Sequence, residues 1–426
     1  MSMADTATTM PIQPDPATTP FGERLSVLDG VRVLDLTGFL AGPFASMVLA
    51  DLGATVIKVE RPEGDSTRTS PPYFVGEDSA YFISVNRNKE SIALDLKAPA
   101  AREVLDRLIA DSDIVLDNLR QSQRDDLGLS FERLKTVNPS IVSCSVTGFG
   151  SDGPYSTRPA YDIIVEAVAG VMSVTGPEGG PSVRAGVPIG DITAGLYLVI
   201  AALAGLDHRR RTGEGQHIDV SMLDSQVSLL SYLAQYYFSG GLVAQHQGRA
   251  HLSIPTYNTF ETADGTEIVI AANTEQMWKS LCTVLGRADL VDDARFIQNA
   301  DRLTNRDAVV DLLQAAISKR TVDELLEELV EAGVPCAPIN SIDKALRDPQ
   351  VIHRDMVVMM THRSGEVVPT LGVPLKADMR GGPFLSPPAL GGDSREILRR
   401  VGYSDDQIDA LAAAGVVLLQ ERETDE

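Results

Sequence analysis

The sequence predicts an α/β fold, with a large Rossmann-like domain built on a parallel sheet and a smaller α+β domain. Two observations favour this class. Between residues 31 and 147, short runs of aliphatic and β-branched residues alternate with segments of helix length, which is the pattern of βαβ units. After about residue 239, the pattern changes to two strand-like runs around a tight turn, followed by helical periodicity. A chain of 426 residues is long enough to bury two such cores.

The large domain is expected to open with one βαβ unit. A buried strand at 31–36, a helix at 44–52 and a second strand at 55–60 are separated by short connections, as at the start of a parallel sheet. The same alternation continues along the chain. It predicts strands at 91–95, 113–117, 141–147 and 217–221, and helices at 100–110, 163–171, 192–210 and 223–238.

Composition marks the domain boundaries. The first residues are rich in Thr, Pro and Ala, and they predict a disordered tail over 1–26. Gly240-Gly241 ends the large domain, 27–239, and Asp264-Gly265 forms the turn of a hairpin in the small domain, 240–345. That domain is predicted to contain strands at 257–261 and 267–271 and helices at 275–285, 307–318 and 322–332. Residues 346–426 are expected to return to the large domain and end in a helix at 405–414.

Charge and cysteine content narrow the partners and the compartment. The formal net charge is −22, so neither a nucleic acid nor an anionic membrane surface is an expected partner. Three widely spaced cysteines form no disulfide framework, which favours a reducing cytoplasm. The chain does not open like a signal peptide, and its apolar stretches fall short of the roughly 20 residues of a transmembrane helix.

Familiar cofactor and metal motifs are missing from the sequence. Glu60 ends the second strand where a ribose-binding acid would lie, but the loop 37–43 lacks the G-x-G-x-x-G pattern, so NAD and FAD are not expected. The sequence contains no Walker loop, H-E-x-x-H, C-x-x-C or G-x-S-x-G motif, and its six histidines show no paired ligand spacing. We therefore expect no metal at the site.

Basic residues are concentrated in one stretch of this acidic chain: Arg61, Arg68, Arg87, Lys89 and Lys97. Arg61 lies just past the end of a predicted strand, where open α/β sheets bind ligands. Guanidinium and ammonium groups suit phosphates. Ordinary ion pairs on a solvated face would give the same pattern, so the stretch alone leaves both interpretations open.

Asp191 is the carboxylate of greatest interest. It follows a Pro- and Gly-rich segment and immediately precedes the apolar run 192–206, which places it near the N-terminus of a helix. The helix dipole and the free N–H groups there favour a charged carboxylate. Such a carboxylate can simply cap the helix, or it can act as a nucleophile toward an acyl group. Taken alone, the segment favours the cap.

Several stretches together resemble the family III CoA-transferases of the CaiB/BaiF type, typified by formyl-CoA transferase and carnitine CoA-transferase. The resemblance runs in order from about residue 28 to 235 and more weakly to about 385. It is carried by Gly30-Val-Arg-Val-Leu-Asp-Leu-Thr37, Ala41-Gly-Pro43, Leu49-Ala-Asp-Leu-Gly-Ala-Thr-Val-Ile-Lys-Val-Glu60, Asn86-Arg-Asn-Lys-Glu-Ser91, Leu94-Asp-Leu-Lys97, Thr147-Gly-Phe-Gly150, Tyr161-Asp162, Gly190-Asp191 and Arg211-Thr-Gly-Glu-Gly-Gln216.

The resemblance implies a role for individual residues. Asp191 matches the family's nucleophilic aspartate, and Tyr161 and Asp162 are expected to shape the substrate end of the site. The remaining residues are expected to contact CoA: the loop residues Gly38, Phe39, Leu40 and Ala41, whose backbone N–H groups would line the thioester, together with Arg61, Arg68, Leu94, Lys97 and Asn118.

The resemblance also implies an assembly and a reaction. Family members form homodimers in which two chains pass through each other as interlocked rings, and pairing with a related chain is an alternative. CoA and acyl-CoA would be substrates, no cofactor would be tightly bound, and CoA would pass from an acyl-CoA, with succinyl-CoA the expected donor, to a small carboxylic acid. Leu40 stands where the oxalate-specific enzymes have glutamine, and residues 245–252 lack their run of glycines, so oxalate is not the expected acceptor.

Two alternatives to a transferase remain open at this point. The same superfamily contains α-methylacyl-CoA racemases, which need an acid–base group on each face of the α-carbon. In those enzymes a histidine precedes the aspartate that matches Asp162, whereas this chain has Tyr161. A phenol with a pKa of about 10 is a poor proton acceptor near neutrality, which favours the transferase. The second alternative is a non-catalytic CoA-binding subunit.

Overall fold

The computed structural model describes residues 14–246 and 248–420. These residues divide into two compact units. The large unit comprises residues 14–170, 186–231 and 346–420, and the small unit comprises residues 171–185, 232–246 and 248–345.

The described residues form the following strands: β1 Glu23–Leu25, β2 Arg32–Leu36, β3 Thr55–Glu60, β4 Phe74–Val75, β5 Asp78–Ser79, β6 Lys89–Leu94, β7 Ile114–Asp117, β8 Val142–Thr147, β9 Gln216–Ser221, β10 Tyr257–Glu261, β11 Glu267–Ala271, β12 Cys336–Pro338, β13 Val357–Thr361, β14 Val367–Leu371, β15 Arg380–Pro383 and β16 Val417–Leu418. Their helices are α1 Ala41–Asp51, α2 Ala80–Asn86, α3 Ala101–Ala110, α4 Gln121–Leu127, α5 Phe131–Val137, α6 Asp162–Val168, α7 Val171–Val174, α8 Ile189–Thr212, α9 Met222–Leu229, α10 Ser231–Gly240, α11 Glu275–Val284, α12 Asn299–Thr304, α13 Arg306–Ile317, α14 Val322–Glu331, α15 Ile342–Ala345, α16 Pro349–His353, α17 Ser394–Arg400 and α18 Asp405–Ala413. Short 3₁₀ turns lie at Ser66–Thr69 and Ala288–Leu290.

A seven-stranded sheet forms the centre of the large unit, in the order β16-β6-β3-β2-β7-β8-β9. All neighbouring strands pair in parallel except β16, which pairs with β6 in the antiparallel direction. The chain winds outward from β2 through β3 to β6, and then in the other direction through β7 and β8 to β9. This is the doubly wound order of a Rossmann-like sheet, with its switch point between β2 and β7. The predicted large α/β domain with a parallel sheet is confirmed.

Helices cover both faces of this sheet because the central strands are apolar on both sides. On β2, Val33 packs in one core with Leu198 of α8, whereas the next residue, Leu34, packs in a second core with Leu105 of α3. These two adjacent residues thus pack against helices on opposite faces of the sheet.

The small unit has its own sheet and its own core. Strands β10, β11 and β12 pair in that order, all antiparallel. The predicted hairpin is confirmed, and Gly265 at its turn has a φ of 73°, which glycine adopts without steric cost. Helices α11, α13 and α14 lie within two residues of their predicted bounds and pack around the buried Trp278.

Three predictions about local structure were wrong. Within the expected tail, 1–13 lies outside the described residues, but Glu23–Leu25 forms β1, pairs with β15 and buries Leu25. The single helix expected at 223–238 is two helices, α9 and α10, which meet at Ser231 with a φ of 43°. Residues 171–185 belong to the small unit, although they precede the predicted boundary.

One helix among the described residues, α8, is long and apolar enough to cross a membrane, judged by length and composition alone. A core helix of a globular domain meets the same criterion. Helix α8 packs against α1, β8 and β9 in the large unit, so we interpret it as a core helix.

Candidate active site

A cavity of about 910 Å³ opens at the carboxyl ends of the central strands of the large unit. Thr37 follows β2, Arg61 follows β3, Asp95 follows β6 and Asn118 follows β7, and all four line this cavity. The cavity therefore spans the switch point of the sheet, where open α/β folds bind their ligands.

Most of the residues singled out in the sequence lie in the wall of this one cavity. They are Gly38, Phe39, Leu40, Ala41, Arg61, Leu94, Lys97, Asn118, Tyr161 and Asp191. Asp162 is not among the lining residues, and Arg68 is not either. The structure thus brings together residues separated by more than 150 positions, while their contacts with CoA stay a prediction.

The loop between β2 and α1 is fastened across the switch point. The backbone N–H of Gly38 donates to Oδ1 of Asn118 at 3.1 Å, and Nδ2 of Asn118 donates to the Gly38 carbonyl at 2.8 Å. Phe39 follows with a φ of 66°, an uncommon conformation for a bulky residue, and its side chain is exposed. Because its N–H is already bonded, Gly38 is a poor candidate for stabilising an oxyanion.

Asp191 is the third residue of α8, so its carboxyl lies in the first turn of that helix. The backbone N–H of Ala41 donates a hydrogen bond to this carboxyl. Burial raises the pKa of Asp191 to about 6, the negative charge of Asp162 adds to the rise, and the Ala41 N–H opposes it. A carboxylate with this pKa is mostly ionised at neutral pH and is more basic than an ordinary aspartate.

Asp162 caps the N-terminus of α8 from a different helix. Its Oδ1 accepts hydrogen bonds from the backbone N–H of Gly190 at 2.8 Å and of Asp191 at 3.2 Å. These two N–H groups would otherwise lack a partner in the first turn. Asp162 therefore fixes the segment that carries Asp191 and also places a like charge beside its carboxyl.

Gln226 of α9 packs against the same turn and was not singled out in the sequence. Its side chain is fully buried, and neither amide atom has a hydrogen-bond partner among the described residues. A Cβ on Gly190 would lie 2.0 Å from Nε2 of Gln226 and 2.8 Å from Oδ1 of Asp162. Glycine at position 190 thus lets both side chains approach the backbone beside Asp191.

Arg68 is not among the residues that line the cavity, so the structure lends no support to its expected role as a phosphate ligand, which stays a prediction. Its guanidinium donates to both carboxylate oxygens of Glu60, at 2.8 and 2.7 Å, and to the Pro388 carbonyl at 3.1 Å. It also lies 3.9 Å above the ring of Phe82 and 3.4 Å from Asp78. Of the two interpretations of the basic stretch, the structure favours an ion pair for Arg68. That ion pair, with Glu60, is buried and not solvated.

Other cations lie in the cavity wall instead. Nε of Arg61 donates to the Gly64 carbonyl at 3.0 Å and lies 4.0 Å from Glu63, but the side chain is 65% exposed, so its guanidinium stays accessible. Arg120 and Arg158 also line the cavity, as does Arg124, which forms a 3.2 Å ion pair with Asp117. The sequence offered no signal for these three, because arginines follow strand ends in many loops. Together with Lys97 they place several cationic side chains in a wall that also carries carboxylates, among them Asp95, Asp191 and Asp219.

Tyr81 is a further lining residue that was not singled out. Burial raises the pKa of its phenol, and the nearby charges of Asp191 and Asp65 raise it further. Its hydroxyl is therefore protonated at neutral pH and available as a hydrogen-bond donor near Asp191.

No group of three or more His, Cys, Asp and Glu side chains within 14–246 and 248–420 is arranged to hold a metal ion. The expectation of metal-free chemistry stays a prediction.

Comparison with known proteins identifies the family to which the chain belongs. The model of CoA-transferase family III matches residues 28–394. The chain is 40% identical to succinyl-CoA:glutarate CoA-transferase of Homo sapiens, covering 92% of this chain and 90% of the relative. It is 38% identical to succinate–glutarate CoA-transferase of Agrobacterium fabrum, covering 84% and 91%. The crystal structure of a CaiB/BaiF family protein from Brucella suis superposes with a TM-score of 0.79 at 37% identity, covering 89% of this chain and 100% of that one.

Proposed function

This chain belongs to CoA-transferase family III, and from that membership we propose that it moves CoA from succinyl-CoA to a small dicarboxylic acid through a thioester on Asp191. The observation that carries the proposal is the setting of Asp191. It is a carboxyl at a helix N-terminus with a pKa raised to about 6, in the wall of a cavity at the switch point. The human relative is named for succinyl-CoA and glutarate, and the relative from Agrobacterium fabrum for succinate and glutarate; both alignments cover most of the chain.

The reaction needs four transfers and no net proton. The Asp191 carboxylate attacks the thioester carbonyl, the C–S bond breaks, and a mixed anhydride and CoA thiolate form. The thiolate attacks the aspartyl carbonyl, which releases the donor as a carboxylate and leaves an aspartyl-CoA thioester. The acceptor carboxylate attacks that thioester and displaces the thiolate, giving a second anhydride. The thiolate finally attacks the acceptor's carbonyl, which yields the new acyl-CoA and restores Asp191.

The surroundings of Asp191 suit each transfer. The Ala41 N–H already points at the Asp191 carboxyl, so it can stabilise negative charge when the aspartyl carbonyl becomes tetrahedral. Arg61 and Lys97 follow the neighbouring strands β3 and β6 and line the cavity, which supports a role for them in holding CoA phosphates. Because the intermediates are activated acyl groups, the closed site must exclude water from them.

The racemase is the less favoured alternative. It needs a second acid–base group opposite Asp191, and the described residues that line the cavity include no histidine. Tyr161 occupies the corresponding position, and its side chain is largely exposed.

We also propose that the protein works as a homodimer. Leu196, Ile200 and Leu203 of α8 follow one another at helical spacing and are all exposed. A contiguous apolar stripe of this kind is typical of a protein interface. Interlocking of the two chains, and a cytoplasmic location, remain expectations from the family resemblance and the cysteine content.

The direct test is the intact mass of the protein after brief exposure to succinyl-CoA. We expect an adduct of CoA mass that maps to Asp191 by peptide analysis and is discharged by glutarate. Asp191→Asn should form no adduct and should lose turnover by at least about 10⁴-fold, while still binding CoA. Turnover in that variant comparable to the wild type, or exchange of the α-proton in heavy water without an adduct, would overturn the proposal.

A further inference from the structure

Four charged side chains are buried beside segment 37–43, which comprises the connection after β2 and the first turn of α1, including Ala41. They are Asp35 of β2, Lys58 of β3, Asp65 in the segment after β3, and Lys89 of β6, and we refer to them as the buried charge cluster. Lys58 lies 2.9 Å from Asp65, and Lys89 lies 3.3 Å from Asp35. Three of the four come from different stretches that carry the family resemblance. The reaction described above gives none of them a role.

The cluster holds the first part of the loop at Thr37. Oδ1 of Asp35 accepts hydrogen bonds from the backbone N–H of Thr37 at 2.9 Å and from its hydroxyl at 2.5 Å. Nζ of Lys58 donates to the Thr37 carbonyl at 2.9 Å. All three backbone and side-chain polar groups of Thr37 are therefore bonded to charged partners, which give stronger hydrogen bonds than neutral ones.

The cluster also holds the far end of the loop at Pro43. Nζ of Lys89 donates to the Pro43 carbonyl at 3.0 Å and to Oδ1 of Asn86 at 2.9 Å. Ser46, one turn further into α1, donates to Oδ2 of Asp35 at 2.5 Å. The segment 37–43 is thus fixed at both ends, and Ala41 lies between them.

Stability alone is a weak reason for such a cluster. Removing two ion pairs from water carries a desolvation cost that their attraction offsets only partly, so apolar residues of similar volume often stabilise a fold as well. What charged groups add is a fixed geometry for the groups they bond. The group between the two anchored ends is the Ala41 N–H, which donates to Asp191.

We propose that Asp35, Lys58 and Lys89 are positioning residues, which set the Ala41 N–H against Asp191 by holding segment 37–43. The inference rests on the proposed role of Asp191 as the nucleophile. Lys58 also lines the cavity, but each of the three side chains bonds to segment 37–43, and we assign their effect to that segment. Loss of this support lowers the rate of the two transfers in which the Asp191 carbonyl becomes tetrahedral, and it leaves Arg61 and Lys97 in place for CoA binding.

One member of the buried charge cluster, Lys89, titrates near physiological pH. Burial lowers the pKa of Lys89 to about 8, the charge of Asp35 opposes this shift, and Lys58 adds to it. Asp65 also opposes the shift, and the other polar atoms facing Lys89 are the neutral Asn86 amide and the Pro43 carbonyl. Above about pH 8 Lys89 loses its proton, and Asp35 then loses one of its two positive partners. We expect kcat to fall reversibly on the alkaline side of about pH 8.

The test compares Lys89→Met with Arg87→Met. Arg87 is as deeply buried and pairs with Asp51 at 2.6 Å, but its bonds run to the Leu371 carbonyl and not to segment 37–43. The rate of CoA adduct formation on Asp191 and kcat are measured from pH 6 to 9, with unfolding as a control. We expect Lys89→Met to lower both rates by about tenfold at pH 7, to lose the alkaline limb, and to change the KM for succinyl-CoA by less than about threefold. Arg87→Met should keep the wild-type profile in its folded fraction.

Equal losses of kcat in both variants, or a Lys89→Met enzyme with the wild-type profile, would overturn the inference. If Lys89→Met does not fold, Thr37→Val replaces it, because it removes only the hydroxyl bond to Asp35 and keeps every charge. An unchanged kcat in that variant would overturn the inference as well. A wild-type enzyme that forms no adduct would instead refute the proposed function, so the two failures are distinguishable.

Discussion

The carboxyl of Asp191 sits in surroundings that disfavour its own charge. Burial and the neighbouring Asp162 raise its pKa to about 6, whereas an unfolded aspartate has a pKa of about 3.9. Between these values the native state binds the proton and the unfolded state does not. The free energy of unfolding therefore falls as the pH rises from about 4 to 6. Above about pH 6 Asp191 is ionised in both states, and the loss of stability caused by its buried charge is complete.

We expect Asp191→Asn to raise the free energy of unfolding at pH 7.5 by about 1 to 2 kcal/mol, a value discounted for partial exposure of the carboxyl. Urea denaturation at pH 7.5 and pH 5 measures the change, which should be smaller at pH 5. Asp224, in the first turn of α9, is an exposed counterpart. Asp224→Asn should lower stability by about 0.5 kcal/mol, because it removes a favourable charge at a helix N-terminus. A loss of stability in both variants would contradict this account of Asp191.

Single residues also show what a sequence pattern does not decide. Arg61 and Arg68 stand seven positions apart in the same basic stretch, yet Arg61 lines the cavity and Arg68 is bonded to Glu60. The difference arises because the 3₁₀ turn at Ser66–Thr69 directs Arg68 back toward β3. The local sequence does not predict that this turn directs Arg68 toward β3.

At the scale of elements, the N-terminus of α8 depends on α6. Asp162 is the first residue of α6, and its Oδ1 caps the Gly190 and Asp191 N–H groups. Asp162→Asn retains an oxygen that can accept both bonds and removes only the charge. The variant therefore separates capping from electrostatics.

We expect Asp162→Asn to lower the pKa of Asp191, because a like charge that disfavours its ionised form is gone. The acidic limb of kcat/KM, which in the wild type should lie near pH 6, should move down by up to about one pH unit. Asp162→Ala is the matched comparison, because it removes the cap as well and should also lower the rate at the pH optimum. An unmoved acidic limb in Asp162→Asn would show that another group controls it.

The elements themselves were largely predictable where periodicity is local. Strands β2, β3 and β8 and helix α3 lie within one residue of their expected bounds, because buried strands and amphipathic helices carry their pattern within a few residues. The break at Ser231 was not predictable, since helical periodicity continues through it. Strand β1 was missed because three residues cannot establish a period, and their pairing with β15 joins positions more than 350 apart.

At the scale of the whole molecule, the order of strands in the sheet brings residues that are distant in sequence to one cavity. The switch point joins the end of β2 to the end of β7, and α8 brings Asp191 to the same edge from beyond β8. The family resemblance indicated which residues matter, and the expected parallel sheet predicted that they meet, because the carboxyl ends of parallel strands lie at one edge. The assignment of residues 171–185 to the small unit was out of reach, because it depends on contacts with residues beyond 231.

The apolar stripe on α8 yields the last prediction. Leu196, Ile200 and Leu203 would remain in water in a monomer, at a cost of about 25 cal/mol for each Å² of apolar surface left exposed. We expect light scattering after gel filtration to give the mass of two chains. Ile200→Glu should shift that mass toward one chain and lower activity in parallel, because a charge at the centre of an apolar interface is costly to bury. Val330→Glu is the control, since Val330 is similarly exposed but lies on α14 of the small unit. A dimer that persists in Ile200→Glu would show that this stripe is not the interface. Dissociation of the dimer by both variants would show that the effect is not specific to α8.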